Sequence, residues 1–279
     1  MQDKAGVFDF RALDESALLN WVAVVGAWPS KMKRSLVKTE LGIVEIDFDQ
    51  ERANARAESE ARKRNARSVP FNSRKVDPEE ADWQALAAEL AQSLSKKMLS
   101  TPLGSRANLL PAHAKKTRSG RSGASGPLGK PPPRMPPQKT DIIGRLGEIA
   151  VYHWLSQRLQ KQDIDAAWVS TNSKPLTGRD GSDSLGYDFE VSFRGQPWQI
   201  EVKSSLNDPC SFEMGETEVR AGRAAARNRS GVQYWIVYVS NLSQPGPARV
   251  ELLPNPMSEE GERVLNLLGE GLRYDFRRL

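Results

Sequence analysis

Residues 187–204 read YDFEVSFRGQPWQIEVKS, and their side chains alternate in two runs. Tyr187, Phe189, Val191 and Phe193 alternate with Asp188, Glu190 and Ser192, while Trp198, Ile200 and Val202 alternate with Gln199, Glu201 and Lys203. A period of two is the pattern of a strand with one buried face. A tight turn at Gly195–Gln196 predicts a hairpin that pairs Arg194 with Pro197, Glu190 with Glu201 and Asp188 with Lys203. Directly opposed carboxylates destabilise a sheet, so positive charge is expected beside Glu190 and Glu201. Lys203 supplies one charge and a divalent cation would supply the rest; hard carboxylate oxygens suit Mg²⁺ or Mn²⁺. The same alternation also fits the solvated face of a half-buried hairpin.

Outward from the hairpin, residues 144–162 place Leu146, Ile149, Ala150, His153, Trp154 and Leu159 on one broad face of an amphipathic helix that also carries Glu148. Further strands are expected at about 166–171, 232–240 and 248–253, with helices at about 216–229 and 258–268. The order after residue 141 is helix, three strands, helix, strand. The expected fold class is therefore α/β, a mixed sheet flanked by helices. On the 216–229 helix Arg220, Arg223 and Arg227 fall at i, i+3 and i+7. That stripe suits a phosphate backbone, or is an ordinary solvated face paired to Glu216 or Glu218.

Asp188, then twelve residues, then Glu201-Val202-Lys203 resembles the PD-(D/E)XK signature of restriction-endonuclease-like phosphodiesterases, with Tyr187 where that family often has proline. Gly144-Arg145-Leu146-Gly147-Glu148, Gly186-Tyr187-Asp188, Ile200-Glu201-Val202-Lys203-Ser204 and Gly215-Glu216-Thr217-Glu218-Val219 resemble more closely a bacterial domain of unknown function. That domain sits at the C-terminal end of sacsin-like proteins with a histidine-kinase-type ATPase domain and has a relative in the plant NO VEIN protein. The likeness covers about residues 141–255. It implies an αβββαβ restriction-endonuclease-like core and a Mg²⁺-dependent nuclease acting on DNA, in phage defence, restriction or DNA processing. In that scheme Asp188, Glu201 and Glu148 hold the metal, Lys203 completes the catalytic set, and Arg220, Arg223 and Arg227 grip nucleic acid. Glu218 matches a motif glutamate of unassigned role. The alternative is an inactive nucleic-acid-binding, scaffold or regulatory protein working with a separately encoded ATPase. A homodimer would place two sites on two strands.

The 279 residues carry a net charge of +5 that is unevenly spread. Residues 1–100 hold 16 Lys/Arg against 16 Asp/Glu, residues 141–279 hold 16 against 19, and residues 101–140 hold eight against none. With eight prolines, five glycines and no aromatic residue, 101–140 is expected to be a disordered basic linker, serving as a tether or as a polyanion-binding arm. Residues 1–100 form an expected, mainly α-helical interaction or connector module and a surface for an ATPase or another defence-system protein. Its helices are expected at 14–27, 31–40 and 49–67, with a short extended or hairpin element over 68–77. A further helix is expected after an Asp77-Pro78-Glu80 capping box, with Trp83, Leu86, Leu90 and Leu94 in one stripe. Residues 141–279 are the nuclease-like domain.

One cysteine, Cys210, rules out an internal disulfide, and with only His113 and His153 beside it no Cys/His zinc site can close. No apolar run nears the roughly 18 residues of a membrane span, so a cytoplasmic protein that does not engage membranes is expected. His153 fits a packed core position better than a general base, and Cys210 a half-buried structural one.

Overall fold

The computed structural model describes residues 34–39, 42–112, 136–227, 231–268 and 272–279. The chain divides into two compact units between Ala66 and Arg67. In the first unit, strands β1 (Arg34–Thr39) and β2 (Gly42–Asp47) pair antiparallel, Arg34 opposite Asp47 and Thr39 opposite Gly42, and α1 (Phe48–Arg67) follows. The helix expected over 31–40 is therefore corrected to a strand. Val37 pairs with Val44, the sequence 34–47 is rich in β-branched residues, and pairing overrides the weaker helical spacing. The 14–27 helix lies outside the described residues. Helix α1 is solvated along its length and carries the Arg62–Glu58 and Lys63–Glu60 pairs, 3.7 and 2.9 Å, that its charge pattern predicts.

The second unit opens with the hairpin of β3 (Val69–Phe71) and β4 (Arg74–Val76), followed by α2 (Trp83–Ser93) and α3 (Lys96–Ser100). Asp82, not Asp77, caps α2: its carboxylate accepts from the Gln84 and Ala85 amides, both at 3.0 Å. Asp77 instead accepts from the Arg67 guanidinium at 2.7 Å and from the Glu79 amide at 3.1 Å, closing a turn before the helix. Leu86, Leu90 and Leu94 are buried as their spacing requires.

Helix α4 (Pro137–Arg158) leads through the single turns α5 (Ile164–Ala167) and α6 (Lys174–Thr177) into β5 (Phe189–Phe193), β6 (Gln196–Ser204) and β7 (Ser211–Glu213). Helix α7 (Glu216–Arg227), β8 (Gln233–Ser240), β9 (Arg249–Pro254), α8 (Glu259–Val264), β10 (Asn266–Leu268) and β11 (Arg273–Asp275) complete the chain. The expected order of helix, three strands, helix and strand holds apart from the single turns, but the strands differ. Residues 166–171 make only a one-residue bridge, Trp168 to Phe189, before the chain turns into a 3₁₀ segment at Thr171. The closing helix stops at Val264, and 266–268 are β10.

The result is a mixed α/β fold. The main sheet runs β5-β6-β8-β9, with β6 and β8 parallel and the outer pairs antiparallel; β10-β11-β7 form a second, smaller sheet. A parallel β6–β8 pair needs a crossover, and α7 supplies it. One face of the main sheet buries Trp198, Ile200, Val202 and Val237 in a core shared with Leu146, Ile149 and Trp154 of α4 and with Val69, Phe71 and Leu90. The other buries Tyr234, Ile236 and Tyr238 with Phe212, Val219 and Tyr274. Residues 69–103 therefore share a core with the C-terminal elements. Of the expected linker, Arg106 pairs with Glu260 at 2.7 Å, the Ala107 amide donates to the Leu252 carbonyl at 3.0 Å, and α4 begins at Pro137.

Candidate functional site

The β5–β6 turn is Arg194–Gly195, both with positive φ, 53° and 76°, so Phe193 pairs with Gln196. A two-residue turn with both central residues left-handed takes glycine most readily at the second position, and that moves the turn one residue earlier than expected. The register therefore changes. Glu190 faces Gln199, not Glu201, and stays exposed, accepting from the Tyr187 hydroxyl at 2.9 Å. The ladder ends at Phe189 opposite Ile200, so Asp188, at the bend before β5, is not paired with Lys203. The Asp188 amide donates to the Ile200 carbonyl at 2.8 Å, and the Val202 amide donates to Asp188 Oδ2 at 2.7 Å. These two bonds hold the Asp188 carboxylate at the backbone of β6 next to Glu201.

Lys203 lies two residues beyond Glu201 on the same face. Its Nζ donates to Glu201 Oε1 at 2.8 Å and to Glu218 Oε2, on α7, at 2.5 Å. Glu218 Oε2 also accepts from the Gly215 amide at 2.9 Å, which ties the first turn of α7 to the site. Spacing in a single strand cannot reveal a partner that arrives from the next helix; the resemblance marked Glu218, and the structure gives it a contact.

Glu148 reaches the cluster from α4 and is 5% exposed. Its carboxylate accepts from Trp168 Nε1 at 2.8 Å, from Asn172 Nδ2 at 2.6 Å and from the Ser170 hydroxyl. Asn172 Oδ1 in turn accepts from Arg145 Nε at 3.0 Å, and the Arg145 guanidinium stacks 4.3 Å above the Trp83 ring. Trp168, Ser170 and Asn172 had no signal in the sequence beyond a polar run after a tryptophan; they act only because the chain bends at Thr171. Two glycines permit the approach. A Cβ on Gly147 would stand 2.4 Å from Ser204 Cβ, so α4 can lie against β6 only without one. A Cβ on Gly186, at φ 79°, would stand 2.3 Å from the Thr217 carbonyl oxygen at the start of α7.

Electrostatics follow from burial and like charge. Burial, then the charges of Glu148 and Glu201, hold the Asp188 carboxyl well above the usual range, against the Val202 amide and Lys203. Burial pushes Glu201 up to about 8, with Lys203 opposing and Glu218 adding to the rise. Burial raises Glu148 despite its three donors. Burial pulls on Lys203 in the neutral direction, but Glu201 and Glu218 outweigh it, so the ammonium stays charged. Four carboxylates share one ammonium, with only Arg145 near Glu148 adding to it. A divalent cation fits that excess. Among the described residues no group of three or more His, Cys, Asp or Glu is arranged to hold a metal ion. Glu201 is near enough for its charge to raise Asp188, and Mg²⁺ characteristically takes one or two carboxylates and completes its shell with water and phosphate oxygens.

Arg220, Arg223 and Arg227 are all exposed on α7, and among the described residues none of them forms an ion pair. Arg220 Nη2 donates to the Ser184 carbonyl at 3.4 Å, beside the loop that enters β5. His153 packs edge-on to Tyr152 with its Nε2 buried and without a hydrogen-bond partner, as a core histidine does. Cys210 is half-buried against Arg278. His113 lies outside the described residues. No described helix is long and apolar enough to cross a membrane.

No curated protein and no solved structure matches the chain. Residues 147–251, from the glycine that admits α4 to the middle of β9, match the family model described as Protein NO VEIN, C-terminal. That range lies within the 141–255 likened to the same domain from its motifs, and it contains every residue of the carboxylate–lysine cluster.

Proposed function

We propose that this cluster is the active site of a Mg²⁺- or Mn²⁺-dependent phosphodiesterase acting on DNA, in phage defence, restriction or DNA processing. The observation that carries the proposal is that Asp188, bonded to the Val202 amide, is buried within reach of the charges of Glu148 and Glu201, with Lys203 paired to Glu201 at 2.8 Å. Asp188 and Glu201 would hold the ion, with Glu148 adding negative charge beside Asp188. The ion, when bound, polarises a phosphodiester oxygen and lowers the pKa of a bound water. Lys203 keeps its proton, so its ammonium can neutralise charge developing on the phosphoryl oxygen. Burial of the cluster strengthens that interaction relative to water. The exposed arginines of α7 supply contacts to the phosphate backbone. A homodimer would cut both strands, and an ATPase or other defence-system protein would engage residues 1–100; co-purification with that segment tests the partnership.

Incubation of plasmid or linear DNA with Mg²⁺ or Mn²⁺ is expected to yield cleavage by the wild type. Asp188→Ala and Lys203→Ala should each lose on the order of a hundredfold or more. Equal rates in all three proteins would sink the site. A nucleic-acid-binding protein without hydrolysis is favoured by one observation: Lys203 is already satisfied by Glu201 and Glu218, so the cluster can serve as a clamp between β6 and α7. Retained DNA binding without cleavage under either metal would select it.

A further inference from the structure

Beyond the C-terminal half of α7 the surface opens into a groove of about 860 Å³. Its lining joins two chemistries. Arg223 and Arg227 of α7 and Arg263 of α8 bring three guanidiniums against one carboxylate, Glu262. Arg263 is paired to Glu259 only through an exposed contact, its side chain 71% accessible, and such pairs are weak. Between the arginines lie Met257, Leu267 and Tyr274, and Leu267 is 46% exposed. Arginines beside Leu267 and Met257 give a basic groove with an apolar floor, which matches a ligand that is both anionic and flat-faced.

We propose that this groove binds single-stranded polynucleotide, its phosphates on Arg223, Arg227 and Arg263 and its bases on the apolar floor. The choice of a nucleic acid rests on the phosphodiesterase reading, because α7 leads from this groove back to Glu218 and Lys203, with Arg220 between. From Glu218 to Arg227 that helix rises roughly 14 Å. A strand lying along it would run from the carboxylate cluster into the groove. Unpaired bases decide the form of the ligand. In a duplex the base faces are stacked inside and only phosphates, sugars and edges meet a protein, which would leave Leu267 and Met257 wet. Unpaired bases present their faces, and a basic groove with apolar stacking surfaces is the general way single strands are held.

The test is binding, not cleavage. Fluorescence anisotropy of the full chain in EDTA, with a labelled oligothymidylate and a blunt duplex of equal length, should show the single strand bound on the order of tenfold tighter. Arg227→Gln with Arg263→Gln should reduce the slope of log Kd against log salt by about 1.4 for the single strand. Leu267→Ser, at an exposed position, should weaken the single strand on the order of tenfold and leave the duplex unchanged. Equal or tighter duplex binding, an unchanged slope, or stronger binding of an acidic peptide or of phosphatidylserine vesicles would overturn the proposal. Asp188→Asn should retain this binding. Intact single-strand binding with no hydrolysis by any variant defeats the phosphodiesterase and leaves the groove standing.

Discussion

Gly147 and Ser204 meet where α4 crosses β6, one residue from Glu148 and one from Lys203. Because the clash that a Cβ would make is with the Ser204 side chain itself, 2.4 Å to Cβ and 2.6 Å to Oγ, the penalty is specific to that pair. Gly147→Ala should destabilise the fold by about 1–3 kcal/mol in urea unfolding. Adding Ser204→Gly should recover more than it loses, although it removes the Ser204 hydroxyl bond to the Ile143 carbonyl. Additive losses would show that α4 is held elsewhere. His153, on the same helix, makes a second residue-scale statement. Burial lowers its pKa below 6.5, with the Ala87 backbone working the other way. A depressed pKa means that the neutral ring contributes stability above the unfolded value and that this contribution is lost as pH falls through the folded one. The wild-type melting temperature should therefore drop between pH 7 and pH 5 more steeply than that of His153→Leu.

At the scale of elements, the β5–β6 turn governs the site, since a shift of one residue in the turn changes which side chain faces Glu201. Arg194 holds a left-handed φ of 53° that a side chain adopts at a cost of about 1–2 kcal/mol, whereas Gly195, with open space around its Cβ position, is suited to its φ of 76°. Arg194→Gly is expected to raise the unfolding midpoint and Gly195→Val to lower it, with DNA cleavage by Arg194→Gly unchanged. A rise in stability with loss of cleavage would mean that the register had slipped. The alternation of the two strands was readable from the sequence; the pairing was not, because turns at Arg194–Gly195 and at Gly195–Gln196 both keep apolar residues on one face. Local backbone preference broke that tie, and it set Glu190 against Gln199, away from Glu201.

For the whole molecule, the chain divides into its two units between Ala66 and Arg67, and within the second Val69, Phe71, Leu86 and Leu90 are buried in the core that carries α4 and the main sheet. Trp154 Nε1 also donates to the Thr101 carbonyl at 2.8 Å, and Arg145 stacks on Trp83. Residues 67–279 expressed alone should unfold cooperatively at the midpoint of the full chain, as followed by circular dichroism. A fragment starting at residue 101 exposes the apolar face that Leu86 and Leu90 cover, at about 2–5 kcal/mol for each large side chain lost, and should fail to fold. Equal stability of the two fragments would show that 67–100 is an appendage.

By itself the sequence determined the strands around Asp188 and Glu201, the amphipathic helix with Glu148, the arginine stripe of α7 and the buried stripe of α2, because each follows from a local period of two or 3.6 residues. Charge counting also isolated the basic stretch at 101–140. Only the tertiary structure decided which residues face one another. The seat of Asp188 depends on its bond from the Val202 amide of the neighbouring strand, the Glu218–Lys203 contact on a helix packed across the sheet, and the anchoring of Glu148 on a bend at Thr171 that brings Trp168, Ser170 and Asn172 together. Periodicity fixes the face a side chain takes; the partner on that face is set by long-range packing, which no local window contains.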